Sequence, residues 1–190
     1  MSTATPATGS QKRDSLSGAW ILDKTRGTWP MKEYLETMEV DPLAIEAHEK
    51  GDRETDTIHT IEYNPPSIKI VKRSRVNNDL TTELELGVEL VEYLNPGERP
   101  KRLLATSQGP GHLEIKSTLQ TLSHGVAAVT DVKQLQQEEN STIMIQNLTI
   151  TNEKTQKSHS MVRYFVPYLQ TPPHLVVDDA PVATPKAASK

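Results

Sequence analysis

After residue 51, most of the chain alternates between apolar and polar positions with a period of two. The segment 112–120 shows this clearly, because Leu113, Ile115, Ser117 and Leu119 share one face and charged or polar residues occupy the other. A period of two is typical of strands that bury one face. Turn residues divide this part of the chain into nine such segments: 57–64, 67–74, 80–86, 88–94, 100–108, 112–120, 125–136, 141–152 and 157–169. With an earlier strand at 18–24, about ten strands are predicted.

Residues 28–51 have a different period, and they predict two short helices back to back. Tyr34, Leu35 and Met38 fall on one face at helical spacing. Asp41 followed by Pro42 is a start signal for the second helix, because it combines a capping acid with proline in the first helical turn. Gly51 is well placed to end that helix.

This order of elements predicts an all-β fold, a ten-stranded antiparallel up-and-down β-barrel with a two-helix cap inserted after the first strand. Short turns can join nearly every pair of neighbouring strands. A barrel of ten strands encloses more room than its own side chains fill. Small polar residues interleave with Leu and Ile on the faces assigned to the interior, which favours a partly wet ligand cavity: Thr82, Thr106, Ser117 and Thr149. A shift of one residue in register would reverse any of these faces.

Hydrophobic residues make up only 35% of the chain, and the deficit is concentrated at its ends. Residues 1–14 and 170–190 are rich in Ser, Thr, Ala and Pro and have no periodic apolar pattern. Such segments bury too little surface to offset the entropy lost on ordering. We therefore expect two disordered tails around a barrel domain at 15–169.

Charge and cysteine content exclude several classes of protein. The net charge is −4 with no run of basic residues, which argues against a nucleic-acid partner. The sequence has no stretch of about 18 apolar residues, so stable membrane insertion is not expected. Transient membrane contact is still compatible with the sequence. The N-terminus lacks the apolar region of a secretory signal, and there is no cysteine for a disulfide. We expect a cytoplasmic monomer.

No catalytic or metal-binding constellation is visible in the sequence. The six histidines show no spacing typical of metal ligands, and no nucleophile, base and acid occur in a defensible order. The alternating glutamates at 83–92 are typical of a solvated sheet face. We therefore expect no enzymatic activity, no metal and no cofactor.

The apolar segment 158–169 contains Arg163, and an unpaired buried guanidinium is costly. Arg163 therefore binds an anionic ligand inside the barrel, or has a structural partner, or points to solvent. A structural partner would be Trp20, through a cation–π contact that closes the barrel end, or Glu85. Met161 shares the strand face of Arg163, so both are assigned to the cavity.

Three motifs in sequence order resemble the intracellular fatty-acid-binding protein family. They are Gly18-Ala19-Trp20, the helix pair EYLETMEVDPLAIEAHEKG at 33–51, and ELELGVELVE at 83–92, in which Leu86-Gly87 matches the pair found where two strands splay apart. The resemblance covers roughly residues 16–169. It implies a β-clam that carries a long-chain fatty acid or similar lipid under a two-helix lid, without catalysis.

The resemblance also implies where the ligand would bind. The family's last strand carries an Arg-x-Tyr motif that holds the lipid carboxylate, and the matching residues here are Arg163 and Phe165, so the tyrosine hydroxyl is missing. A second family arginine on the eighth strand has no counterpart, and Lys133 is the only cation in that segment. Tyr34 and Met38 would border the ligand portal or dock on the barrel rim. The alternative is a lipocalin-like barrel that binds a pigment or acts as an interaction domain.

Overall fold

The computed structural model describes residues 12–73 and 79–169. The predicted disordered tails lie outside these residues, apart from residues 12–14. In chain order the elements are β1 (Gly18–Gly27), α1 (Lys32–Thr37), α2 (Pro42–Glu54), β2 (Ile58–Asn64), β3 (Ser67–Arg73), β4 (Asp79–Glu85), β5 (Glu89–Leu94), β6 (Arg99–Gly109), β7 (His112–Gln120), β8 (Val126–Gln137), β9 (Thr142–Asn152) and β10 (Ser158–Pro167).

The ten strands form one antiparallel sheet in the order β4-β3-β2-β1-β10-β9-β8-β7-β6-β5. β1 pairs with both β2 and β10, so the first and last strands are neighbours in the wall of the barrel. The sheet curls until its edge strands, β4 and β5, approach each other. Leu86, just after β4, forms a bridge with Ala105 of β6, and Gly87 with a positive φ of 78° follows it in the link between β4 and β5. The predicted fold class, an all-β ten-stranded antiparallel up-and-down barrel with a two-helix cap after the first strand, is confirmed, and the barrel is nearly closed.

The two helices follow β1, as the sequence predicts. The Asp41 side chain caps α2 by accepting a hydrogen bond from the Leu43 amide at 2.9 Å, with Pro42 in the first turn. The prediction that Gly51 ends this helix is wrong, because α2 continues to Glu54. Asp52 in the added turn is buried and accepts a hydrogen bond from Thr57, so tertiary contacts outweigh the glycine signal. Neither helix in the described residues has the length and apolar character of a membrane span.

A tightly packed cluster fills the end of the barrel opposite the helices. Its centre is Trp20, which is completely buried and donates a hydrogen bond from Nε1 to the Leu16 carbonyl at 2.8 Å. The Arg13 guanidinium lies 4.5 Å from the centroid of the Trp20 ring. Phe165 belongs to the same cluster and stacks on His59 with 4.5 Å between ring centroids.

A second apolar cluster lies beneath the helices. It joins Tyr34 of α1 to inward residues of four neighbouring strands, β7 to β10, among them Val129, Leu148 and Met161. The Asn152 side-chain amide fixes the end of α1 by donating to the Thr37 carbonyl at 3.0 Å. The helices are therefore docked on the barrel by both apolar and polar contacts.

The predicted interior faces are partly correct. Thr82 and Ser117 face the interior, as expected. Thr106 and Thr149 are exposed instead, so their assignment to the interior was wrong. In β9 the buried neighbours Leu148 and Ile150 take the inward positions, and Thr149 lies 3.1 Å from the Ser160 hydroxyl on the outer face. Larger apolar side chains gain more from burial than threonine, which sets the register.

Removing the Phe165 ring should destabilise the barrel strongly. Because the side chain is completely buried, Phe165→Ala loses transfer free energy and leaves a cavity. The free energy of unfolding should fall by about 3–5 kcal/mol, measured by urea denaturation. Tyr93→Ala is the control, since Tyr93 is 68% exposed, and it should change stability by less than about 0.5 kcal/mol. Equal losses in the two variants would contradict this assignment of the core.

Candidate functional site

A cavity of about 300 Å³ lies between the helices and the packed end of the barrel. This volume is at the lower end of the range of small-molecule sites. Its walls are largely apolar, with a group of charged and polar residues on one side. The residues that line it are Met31, Tyr34, Met38, His48, Asp52, Thr57, His59, Ile70, Lys72, Leu80, Thr82, Leu94, Lys101, Leu103, Ile115, Ser117, Leu119, Val129, Asp131, Gln146, Leu148 and Arg163.

The structure brings half of the site residues predicted from sequence directly to this cavity. Arg163, Tyr34 and Met38 are part of its lining. The other three, Lys133, Met161 and Phe165, are at most 2% exposed and are buried outside the lining. Of the described residues predicted to bind a ligand, none lies on the outer surface of the barrel.

Arg163 is held inside the barrel by its position on β10. It pairs in the sheet with Gln146 of β9, and its guanidinium lies 5.5 Å from the centroid of the Phe165 ring. Its Nε atom is buried and has no hydrogen-bond partner among the described residues. Burial lowers the pKa of Arg163, although the nearby carboxylates of Asp52 and Asp131 oppose that shift. A guanidinium in this setting stays charged and has an unused donor.

The alternative roles considered for Arg163 do not match its surroundings. Arg13, rather than Arg163, makes the cation–π contact with Trp20. Glu85 is exposed, and Arg163 itself is only 5% exposed. Asp52 and Asp131 interact electrostatically with Arg163, but each also lies beside another side chain. Asp52 is 3.3 Å from His48, and Asp131 is 2.5 Å from Lys133.

Asp131 on β8 is the centre of a buried polar network. Its carboxylate accepts hydrogen bonds from Lys133 at 2.5 Å and from the Gln146 amide at 3.0 Å, and the ammonium of Lys72 lies 3.9 Å away. Burial raises the pKa of Asp131, but Lys133, Lys72 and these hydrogen bonds outweigh burial and lower its pKa. The carboxyl group is therefore ionised and is not a proton donor at neutral pH.

Lys72 reaches into the cavity from β3 on the opposite wall. About a third of its side-chain surface is accessible, and the residue is part of the cavity lining. Burial, reinforced by the charge of Lys133, lowers the pKa of Lys72 to about 8. Burial and the charges of Lys72, Lys133 and Arg163 lower the pKa of neighbouring His59 well below its ordinary value, so His59 is neutral.

The charged groups around the cavity do not balance. Lys133 is paired with Asp131, and Lys101 is paired with Glu92 at 3.1 Å. The cations that remain are Lys72 and Arg163, and the remaining carboxylate is Asp52. Among the lysine, arginine and carboxylate side chains, the described cavity walls therefore carry one excess positive charge. A buried excess charge of this kind is best compensated by a single anion.

Sequence reasoning did not identify Lys72, Asp131, Gln146 or Asp52 as residues of the site. Strand alternation contained part of the signal, since Asp131 and Lys133 share the face of Ala127 and Val129, which is buried. Lys72 likewise follows Ile68 and Ile70 on the inner face of β3. Asp52 could not be found in this way, because the helix was predicted to end before it.

No metal site is present within residues 12–73 and 79–169, where no three His, Asp or Glu side chains come together to hold an ion. The cavity has one excess positive charge, which is too little to balance phosphate or another polyanionic ligand. The arrangement suits an elongated apolar molecule with one anionic end.

No family model matches the sequence, and no curated protein is significantly similar to it. Solved structures do match its fold. A Schistosoma mansoni fatty acid binding protein in complex with arachidonic acid is 11% identical, with a TM-score of 0.56 over 84% of this chain and 100% of that chain. A fatty acid-binding protein from brain tissue of Drosophila melanogaster is 16% identical, with a TM-score of 0.55 over 80% of this chain and 99% of its own.

A zebrafish ileal bile acid-binding protein complexed with cholic acid has the same fold. It is 13% identical, with a TM-score of 0.52 over 80% of this chain and 97% of its own. The fold is therefore that of the fatty-acid-binding protein β-clam, and the resemblance drawn from the sequence motifs is confirmed at the level of the fold.

Removing the negative charge of Asp131 should destabilise the folded protein. Asp131→Asn leaves the completely buried Lys133 without a carboxylate, and breaking such a pair costs about 3–5 kcal/mol. The free energy of unfolding in urea measures the loss. The double variant Asp131→Asn with Lys133→Met should recover much of it, because no uncompensated lysine then remains at position 133.

The matched control for this prediction is Glu83→Gln. Glu83 lies 3.7 Å from Lys69 on the exposed face of the sheet, so its removal should cost less than about 1 kcal/mol. Comparable losses for Asp131→Asn and Glu83→Gln would contradict the view that the Asp131 network is buried and tightly coupled.

Proposed function

We propose that this protein binds a hydrophobic ligand with one negative charge, and that the ligand is a long-chain fatty acid or a similar lipid. The observation that carries the proposal is Arg163, a buried guanidinium with an unused Nε donor in a cavity that has one excess positive charge. A carboxylate would supply both the missing acceptor and the missing charge.

The apolar walls supply the other part of the affinity. Ile70, Leu103, Ile115 and Leu148 surround the cavity and would contact an acyl chain. Each methylene removed from water contributes about 0.8 kcal/mol. Phe165 packs beneath the guanidinium and has no hydroxyl group to bind a carboxylate. Binding of the head group would therefore depend on Arg163 and on the charge of Lys72. Tyr34 and Met38 would border the route by which the ligand enters beside α1.

The ligand would be carried rather than converted. The structural neighbours named above are binding proteins, and the two buried acids of this cavity, Asp52 and Asp131, both have a pKa below the ordinary value, so neither is a proton donor. We propose a cytoplasmic monomer that takes up and releases its lipid, with at most transient membrane contact. A pigment ligand or an interaction domain is the alternative, and it predicts no preference for a free carboxylate.

Neutralising Arg163 should weaken binding of the free acid selectively. A hydrogen bond to a charged group is worth about 1.5–3 kcal/mol, so Arg163→Gln should raise the Kd for a fatty acid about 10- to 150-fold. The Kd for the methyl ester should change little, because the ester lacks the charge. Displacement of a fluorescent lipid probe measures both constants.

Arg73→Gln is the control, because Arg73 is exposed on the same barrel and bonds to Asp79. It should leave both affinities unchanged. Equal binding of acid and ester by the original protein would assign Arg163 a structural role. Failure of both ligands to bind below the micromolar range would contradict the carrier function.

The affinity for a fatty acid should decrease in alkaline solution. Lys72 has a pKa of about 8, so it loses its positive charge as the pH rises through that value. A bound carboxylate favours the charged form, and the logarithm of Kd should therefore begin to rise near pH 8. Lys72→Arg stays charged and should remove this rise. An unchanged pH profile in Lys72→Arg would contradict a role for Lys72 in the head-group charge.

A further inference from the structure

We propose that Lys72 is a site of reversible covalent attachment for lipophilic aldehydes, which would bind in the same cavity as an imine. The inference rests on the proposed function in one respect, since the apolar cavity must admit a lipid chain. It adds a second class of ligand, with a carbonyl carbon where a fatty acid has its carboxylate.

The position of Lys72 supports this role. Its side chain projects from the inner face of β3 and lines the cavity together with Ile70 of the same strand and Leu80 of the adjoining strand β4. About a third of its side-chain surface is accessible, so the amine is not sealed in the core. Lys133 is the contrasting case, because it is completely enclosed and bonded to Asp131 at 2.5 Å, which leaves no room for a substrate.

The groups that face Lys72 favour the neutral, nucleophilic amine. The cations are Lys133 of β8, Lys101 of β6 and Arg163 of β10, and neutral His59 lies beside it on β2. Burial and these cations lower its pKa to about 8, against one opposing carboxylate, Asp131. Desolvation next to other cations is an established way to activate a lysine.

The chemistry needs no additional reactant. Lys72 first releases its ammonium proton to solvent. The nitrogen lone pair then forms a bond to the aldehyde carbon, and a proton moves from nitrogen to the former carbonyl oxygen. The C–O bond breaks, and the oxygen departs as water with both amine hydrogens, which leaves a C=N bond. Once protonated, the imine is a cation, and Asp131, whose carboxylate lies 3.9 Å from the Lys72 nitrogen, is its counter-ion.

The test uses the full chain, decanal and cyanoborohydride, which reduces an imine to a stable secondary amine. Intact mass and peptide mapping then locate the label. Because an amine with a pKa near 8 has a far larger neutral fraction than an ordinary lysine, we expect labelling at Lys72 to be at least about tenfold faster than at Lys69. Lys69 is the matched position, since it lies on the same strand with its side chain half-exposed on the outer face.

Two variants and a competitor make the test decisive. Lys72→Arg keeps the charge and should abolish the fast label, whereas Lys69→Arg should keep it. Excess decanoic acid should slow labelling of Lys72 and leave the exposed lysines unaffected. Labelling at Lys72 no faster than at Lys69 would overturn the proposal.

The same samples separate this inference from the proposed function. Displacement of a fluorescent fatty acid by decanoic acid reports whether the cavity accepts lipids at all. Lipid binding without selective labelling would overturn imine formation alone. Absence of both would overturn the carrier function and, with it, the covalent site.

Discussion

The architecture of this protein depends on the requirement that a charge removed from water must be compensated. Arg163 is 5% exposed, and its buried Nε donor has no hydrogen-bond partner among the described residues. Asp131 offsets Lys133 and Glu92 offsets Lys101, which leaves Lys72 and Arg163 at the cavity with the single carboxylate of Asp52. In a low-dielectric interior the remaining charge creates a site for one anion, and this property separates the cavity from an ordinary packing defect.

The barrel interior has a filled end and an unfilled end, and the uncompensated charge lies between them. The end that contains Trp20 and Phe165 is filled, and the end beneath the helices is not. Arg163 contacts the packed end through the Phe165 ring, so the guanidinium lies between this apolar cluster and the cavity. The helices then cover the open end, with Asn152 fixing α1 and Asp52 extending α2 toward the cavity. Packing, helix docking and the charged site thus depend on one another.

The alternation of apolar and polar residues predicted the strands well, because a strand that buries one face needs an apolar residue at every second position. Turn residues separated the segments, and the ten strands and the cap were recovered with shifts of a few residues at their ends. The charged residues of the site were harder to predict. Lys72 and Asp131 occupy inward positions by alternation, but a charged residue in a strand is ordinarily assigned to solvent. Their burial follows from pairing across the barrel, between β3 and β8, and such a contact cannot be seen in local sequence.

The ionisation state of a bound head group tests the central claim most directly. A fatty acid labelled with carbon-13 at its carboxyl carbon can be titrated in the complex and followed by NMR. An ion pair with Arg163 favours the carboxylate, so the bound head group should stay ionised at pH values well below the titration range of the same acid in water. A bound carboxyl that titrates as it does in water, or that is already protonated at neutral pH, would show that Arg163 does not hold the ligand and would contradict this account.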